Sequence, residues 1–153
     1  MVTAVTLRDV RDDDLDVLYQ NQADPESGAM AGVAARTWDE FVAHQARVTA
    51  DREALQRVIV LNGDQVAGDV AAWRAASGAR EIGYRIGRQY WGRGIATAAL
   101  ATFLAEFDER PLYAHVLKTN ASSIRVLEKC GFAQLSDREE HDDDPEAYVF
   151  ALR

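Results

Sequence analysis

Residues 84–97, YRIGRQYWGRGIAT, join a predicted strand to a predicted helix. Residues 81–86 alternate apolar and other side chains and are rich in residues that favour β structure, a pattern that predicts a strand. The residues after Gly94 carry apolar side chains at helical spacing and include few helix breakers, which predicts a helix. The chain therefore runs from a strand, through a tight glycine-containing loop, into the N-terminus of a helix.

This junction has the properties of an anion site. The first N–H groups of a helix lack intrahelical acceptors, and the helix dipole adds partial positive charge there. Gly92 and Gly94 allow close approach of the backbone, Arg93 adds a full charge, and Thr97 adds a hydroxyl in the first turn. The residues thus predict phosphate binding. The alternative is a plain strand-to-helix turn sharpened by glycine.

The composition limits the class of protein. A chain of 153 residues is expected to form one domain, residues 1–153, with a sizeable core. It has no long apolar run and no signal-peptide pattern, so we expect a cytoplasmic protein without a membrane partner. The net charge of −8 argues against binding to nucleic acid. Cys130 is the single cysteine, which excludes a disulfide framework, and we interpret it as a buried, inert thiol.

Upstream of the junction, the pattern predicts an antiparallel sheet. Strands are expected at residues 4–8, 57–61 and 65–74, the last two joined by an Asn62-Gly63 hairpin turn. Acidic residues 12–14 are expected to cap a first helix, and residues 37–40 (TWDE) form a capping box for a second. Residues 21–36 contain proline and glycines and are predicted to be a loop with at most one short helical turn.

Downstream, the chain is expected to return to the sheet. A helix at residues 95–107 and a strand at 112–117 predict a parallel pair with the strand before the loop. Asn120 is placed to cap another helix, and strands follow at 132–135 and 147–152. The acidic residues between these strands, with His141 among them, are interpreted as a solvated turn, and no metal site is predicted.

Two segments resemble the GNAT superfamily of N-acetyltransferases, most densely its ribosomal-protein N-terminal acetyltransferase branch. They are EIGYRIGRQYWGRGIATAAL, residues 81–100, and NASSIRVLEKCGF, residues 120–132. The family loop, Gln/Arg-x-x-Gly-x-Gly/Ala, fits residues 91–96 with Trp91 at the first position; a register beginning at Gln89 would place the loop too early. The resemblance implies an α+β domain of three layers. Its mixed, mostly antiparallel sheet would have about seven strands, flanked by about four helices and splayed at the acetyl-CoA site.

The resemblance also implies acetyl-CoA as co-substrate. Its pyrophosphate would lie on the glycine loop, and its pantetheine arm would pair with the preceding strand as though it were an added strand. Asn120 would bind the pantetheine near the thioester. The predicted cofactor-binding residues are Tyr84, Ile86, Trp91, Gly92, Arg93, Gly94, Ile95, Ala96, Thr97, Asn120 and Ser123.

The implied activity is direct acetyl transfer to a primary amine, either a protein N-terminus or a small molecule. Such transfer needs close reactants, a base for the ammonium, stabilisation of the oxyanion and a proton for the leaving thiolate. Glu81 is the candidate base, acting through a water. The alternative is a surface glutamate paired with Arg80 or Arg85.

The candidate general acid is Ser123, because Leu127 stands where many relatives carry a tyrosine. An ordinary first-turn serine is an equal alternative. His115 is interpreted as a core histidine, with a proton shuttle as its alternative. Leu127 also keeps open a catalytically silent CoA-binding sensor on the same fold.

The acceptor side is expected to be lined by Glu26, Met30 and Tyr84, and acids there would steer a cationic amine. An unrelated nucleotide-binding enzyme would need a P-loop lysine or a GxGxxG signature, and the sequence has neither. A homodimer is common among small enzymes, although no sequence patch demonstrates it.

Overall fold

The computed structural model describes residues 3–31, 34–136 and 146–153. Within these ranges, the chain forms seven strands, five α-helices and two short 3-10 helices, at Asp12–Asp14 and Arg88–Tyr90. The strands are β1 (Val5–Arg8), β2 (Leu55–Leu61), β3 (Gln65–Arg74), β4 (Arg80–Ile86), β5 (Leu112–Leu117), β6 (Ala133–Gln134) and β7 (Ala147–Leu152). The α-helices are α1 (Leu15–Ala23), α2 (Pro25–Ala31), α3 (Trp38–Ala50), α4 (Ile95–Glu106) and α5 (Ala121–Lys129).

All seven strands form one sheet in the order β1-β2-β3-β4-β5-β7-β6. Every neighbouring pair is antiparallel except β4 and β5, which are parallel and joined through α4. The predicted hairpin between β2 and β3 is confirmed, with positive φ angles at Asn62 and Gly63. The mixed, mostly antiparallel sheet predicted from the sequence is therefore confirmed.

The two faces of the sheet are covered by different helices, because alternate side chains of each strand point to opposite faces. Ile59 and Leu61 of β2 share a buried cluster with Leu100 and Phe103 of α4. Val58 and Val60 of the same strand pack instead against Leu18 of α1 and Phe41 of α3. Three layers result, with α4 and α5 on one face of the sheet and α1 and α3 on the other.

The loop predicted at residues 21–36 is largely wrong. Helix α1 continues to Ala23, and α2 follows it after Asp24. Pro25 is the first residue of α2, a position at which its missing N–H breaks no helical hydrogen bond. The structure consequently has one helix more than the sequence suggested.

The capping box of α3 is confirmed. Thr37 Oγ1 accepts a hydrogen bond from the Glu40 amide at 3.3 Å, and Glu40 Oε1 accepts one from the Thr37 amide at 2.9 Å. The apolar stripe of this helix is only partly buried, because Trp38 and Val42 remain 41% and 37% exposed. Trp38 packs on the edge of Tyr19 rather than in the core.

Two other expectations concern parts of the chain that the structure does not describe. The acidic segment at 137–145, with His141, lies outside the described residues, as does the Met30 side chain. Over the parts that the structure covers, no helix has the length and apolar character needed to cross a bilayer.

Replacing Asp14 by asparagine is expected to lower the free energy of unfolding at pH 7 by about 2–3 kcal/mol. The Asp14 side chain is buried and accepts two hydrogen bonds from Arg8, at 2.7 and 2.8 Å, and one from the Arg11 amide at 2.7 Å. The hydrogen bonds from Arg8 hold the pKa of Asp14 below its ordinary 3.8. This stabilisation is therefore present above about pH 4 and is lost as pH falls through the lowered pKa.

Urea unfolding at pH 7 and pH 3 checks this expectation, with Asp12→Asn as the exposed control. The gap in stability between the Asp14 variant and the parent should narrow at pH 3. A stability difference of equal size at pH 7 and pH 3 would contradict the stabilising role assigned to ionised Asp14.

Candidate functional site

The gap between β4 and β5 forms a cavity. These parallel strands share one register pair, Glu81 with Tyr113, near the start of each strand, and they diverge beyond it. A cavity of about 430 Å³ occupies the opening. Its wall includes residues of both strands, the loop after β4, helix α5 and Ser27 of α2. The predicted splay of the sheet is thus present, and residues from both faces of the sheet line it.

Apart from Arg93, the residues predicted to bind the cofactor all line this cavity. They are Tyr84, Ile86, Trp91, Gly92, Gly94, Ile95, Ala96, Thr97, Asn120 and Ser123. The short-range motif therefore identified a continuous wall, because strand end, loop and helix start are adjacent in the chain.

The loop glycines have the backbone conformation that an anion cradle needs. Gly92 and Gly94 have φ angles of 76° and 75°, in the left-handed region. A Cβ on either residue would meet no heavy atom within 4 Å. Gly94 is the N-cap of α4, so the first-turn N–H groups that follow it have no intrahelical acceptor. The loop thus presents free amide donors beside open space.

Trp91 fastens the loop to the strand. Its indole Nε1 donates a hydrogen bond to the Ile86 carbonyl at 2.9 Å. Arg93 instead lies outside the cavity, with its guanidinium 6.0 Å from the centre of the Tyr90 ring. The structure therefore gives Trp91 a positioning contact and leaves Arg93 beside the loop.

Basic residues that the sequence reasoning missed lie on α5. Arg125 and Lys129 both line the cavity. They are four residues apart, which places them on one side of a helix. The four-residue spacing of these basic residues, in the helix that Asn120 caps, is the sequence signal that could have predicted their place in the site.

A pair of hydroxyl groups lies near the start of α5. Tyr84 Oη and Ser123 Oγ are 2.6 Å apart, and Asn120 Oδ1 accepts a hydrogen bond from the Ser123 amide at 3.2 Å. The predicted capping role of Asn120 is thus confirmed. Burial raises the pKa of Tyr84 to about 12, so its phenol is protonated at neutral pH. Leu127 is buried among apolar residues.

Glu81 contacts the cavity wall through a histidine. Its Oε1 lies 3.5 Å from Nε2 of His115, and His115 lines the cavity while Glu81 does not. The His115 side chain is 36% exposed, so its interpretation as a core histidine is wrong. Within the described ranges, Glu81 forms no ion pair with Arg80 or Arg85, the two partners considered from the sequence.

The acceptor-side acids are engaged elsewhere. Glu26 pairs with Arg88 at 2.9 Å, and the same guanidinium lies 3.4 Å from Asp24. Glu26 is not part of the cavity wall. Ser27, which the sequence reasoning missed, lines the cavity from α2 and donates a hydrogen bond to Asp24 at 3.2 Å. Helix α2 thus forms a wall of the opening through an uncharged side chain.

No cluster of three or more histidine, cysteine, aspartate or glutamate residues suited to a metal ion occurs in the described part of the chain.

Comparison with known proteins gives a family match. A protein-family model described as an acetyltransferase (GNAT) domain matches residues 4–133. Comparison with curated protein sequences gives no match.

Solved structures share the fold at low sequence identity. A domain from Methanocaldococcus jannaschii has a TM-score of 0.80 and 18% identity, with 98% of each chain covered. Spermidine N-acetyltransferase from Vibrio cholerae, in complex with CoA and spermine, has a TM-score of 0.79 and 17% identity, covering 96% of this chain and 92% of that one. Aminoglycoside acetyltransferase AAC(6')-Ib with coenzyme A has a TM-score of 0.77 and 19% identity, covering 97% and 93%.

Proposed function

Because this chain belongs to the GNAT acetyltransferase family, we propose that it transfers the acetyl group of acetyl-CoA directly to a primary amine. The observation that carries the proposal is the junction of β4 and α4. There, two glycines in the left-handed region expose amides to open space at a helix N-terminus, an arrangement suited to a diphosphate. The motif resemblance to the ribosomal-protein branch favours a protein N-terminus as acceptor, with a small-molecule amine as the alternative.

The cofactor would extend from this loop along β4. Arg125 and Lys129 supply positive charge on the α5 side of the cavity. The β4 backbone at residues 84–86 is expected to pair with the amides of the pantetheine arm. Asn120 lies where its side chain is expected to contact that arm, beyond its capping bond to Ser123.

Proton removal from the amine is assigned to Glu81 and His115. His115 lies on the cavity wall, and the Glu81 carboxylate behind it orients the imidazole. The imidazole takes the proton from the ammonium, directly or through a water, so that the free amine attacks the thioester carbonyl. In this scheme, Glu81 is a positioning residue and His115 contacts the substrate.

Proton return to the thiolate is assigned to Ser123. Its hydroxyl lies on the cavity wall, hydrogen-bonded to Tyr84. The Tyr84 phenol is protonated at neutral pH and can donate to Ser123 as the serine proton moves to sulfur. This pair replaces the hydroxyl that Leu127 lacks. The absence of a hydroxyl at Leu127 is also the observation that favours the second candidate, a CoA-binding sensor without turnover.

Glu81→Gln is expected to reduce the rate of acetyl transfer about 100-fold while leaving the affinity for CoA within about twofold. The reason is that glutamine cannot stabilise the protonated imidazole, although it occupies the same space. Thiol release from acetyl-CoA across a panel of amines gives the rate, and titration calorimetry with CoA gives the affinity. Glu128→Gln, an exposed change on α5 outside the cavity wall, is the control.

The same measurements separate the candidates. Thiol release that depends on an added amine supports the enzyme. CoA binding without turnover over the whole panel supports the sensor. An unchanged rate and pH profile for Glu81→Gln would remove Glu81 from the mechanism.

A further inference from the structure

Within the described ranges, the cavity wall contains three arginine or lysine side chains, those of Arg85, Arg125 and Lys129, and no aspartate or glutamate. Arg125 and Lys129 belong to α5, on the face where phosphates of the cofactor are expected. Arg85 belongs to the opposite face, because it alternates along β4 with Tyr84 and Ile86, which pack with the α4 and α5 cluster. Cofactor phosphates therefore do not account for Arg85.

Among the described residues, no direct polar partner holds the Arg85 side chain, although Asp69 acts on its charge. The Arg85 side chain forms no hydrogen bond or ion pair with any residue that the structure describes. Asp69 lies opposite it in the β3–β4 register, yet the Asp69 carboxylate accepts a hydrogen bond from Gln56 at 3.0 Å, and Gln56 is held in turn by Gln45 at 2.7 Å. Burial also raises the pKa of Asp69, which disfavours its charged form. Every fully buried side-chain nitrogen or oxygen of the described chain has a partner, so the Arg85 guanidinium nitrogens, which have none, retain some solvent exposure.

The other carboxylates on this side have partners of their own. Asp24 and Glu26 lie against Arg88, and Glu81 lies against His115. Burial of the Arg85 guanidinium lowers its pKa most, the charge of Asp69 raises this pKa, and the charge of Arg36 lowers it. The acceptor end of the cavity is thus suited to an anion, and a polycation would meet an unpaired arginine there.

We propose, on the premise of the acetyl transfer argued above, that the acceptor is an amine that carries a carboxylate and that Arg85 binds this carboxylate. The planar guanidinium offers paired donors that match the two oxygens of such a group. Since the cavity of about 430 Å³ also holds the end of the cofactor, the carboxylate must lie close to the amine. A free amino acid and a peptide N-terminus followed by an acidic residue both have this chemistry.

Matched acceptors test the proposal. Alanine is compared with alaninamide, and the amidated dipeptide Ala-Asp with Ala-Asn, by thiol release from acetyl-CoA. The carboxylate member of at least one pair is expected to have a kcat/KM about 10- to 100-fold higher, mainly through KM. The pair that shows the preference distinguishes a free amino acid from an acidic peptide N-terminus.

Variants of Arg85 test whether this residue causes the preference for acceptors that carry a carboxylate. Arg85→Gln should bring the ratio within a pair close to one, and Arg85→Lys should restore part of it because the charge returns without the fork. Arg47→Gln removes an exposed arginine of α3, on the same face of the sheet but outside the cavity wall, and it should keep the ratio.

Turnover of amines with no carboxylate preference, or a preference that survives Arg85→Gln, would overturn the assignment and leave acetyl transfer standing. CoA binding with no turnover of any amine, by contrast, would overturn the acetyl transfer itself and this proposal with it.

Discussion

Gly94→Ala is expected to weaken CoA binding about 50-fold. Gly94 has φ 75° at the N-cap of α4, and its missing Cβ leaves open space on the cavity wall. A methyl group there would stand between the first-turn amides and a diphosphate, and it would cost several charge-assisted hydrogen bonds. Titration calorimetry with CoA measures the loss.

Gly78→Ala is the control that separates the effect of the change on the backbone from its effect on CoA binding. Gly78 has φ 91°, also has nothing within 4 Å of an added Cβ, and lies in the turn between β3 and β4, away from the cavity. Both variants should lose about 1–2 kcal/mol of unfolding free energy, because alanine resists the left-handed region. Only Gly94→Ala should lose affinity. Equal CoA affinity in the two variants would sink the diphosphate assignment.

Gly68→Ala is expected to destabilise the fold by more than about 4 kcal/mol. A Cβ at Gly68 would lie 1.9 Å from the Arg85 carbonyl oxygen, and 2.9 Å from both the Arg85 carbonyl carbon and Ile86 Cα. These atoms are backbone of the neighbouring strand, so no side chain can rotate away. The variant can accommodate the methyl only by moving β3 from β4 at the centre of the sheet.

Urea unfolding followed by circular dichroism measures this loss, with Gly83→Ala as the matched control. The Cβ at Gly83 would meet the ring of Trp73 at 3.1 Å. Because that ring is partly exposed and belongs to a side chain, it can shift, and a loss of about 1 kcal/mol is expected. A soluble, cooperatively unfolding Gly68→Ala protein of near-parental stability would contradict the close packing of these strands.

The elements that sequence reasoning placed correctly are those with local signals. β3 and β5 have the predicted bounds, and the capping box places the start of α3 at Trp38. Helix α2 was missed because Pro25 and Gly28 are breakers within a helix, whereas a proline at the first position is tolerated. Whether such a segment is helical depends on how it packs on the sheet, and its own composition does not contain that information.

The residues of the site likewise divide into those that a local sequence signal predicts and those that only the assembled sheet brings together. Apart from Arg85, the wall residues between positions 84 and 97 follow from adjacency in the chain, and Asn120 follows from its place at the start of the next helix. The side chains of Ser27, Arg85 and His115 enter the wall because β4 and β5 diverge and because of the face that each residue occupies, which are properties of the assembled sheet. Glu26 was expected to line the acceptor side, but it pairs with Arg88, more than sixty residues later in the chain, and is not part of the cavity wall.

Binding of a ligand in the gap between β4 and β5 also affects the stability of the fold. The strands on its two sides are joined by a single register pair, so backbone groups that would complete the sheet are left for whatever binds between them. An occupant of the gap binds the folded chain and not the unfolded one, and its free energy adds to that of folding by mass action. On the proposed function, we therefore expect the resistance of this protein to unfolding to rise with the concentration of its co-substrate.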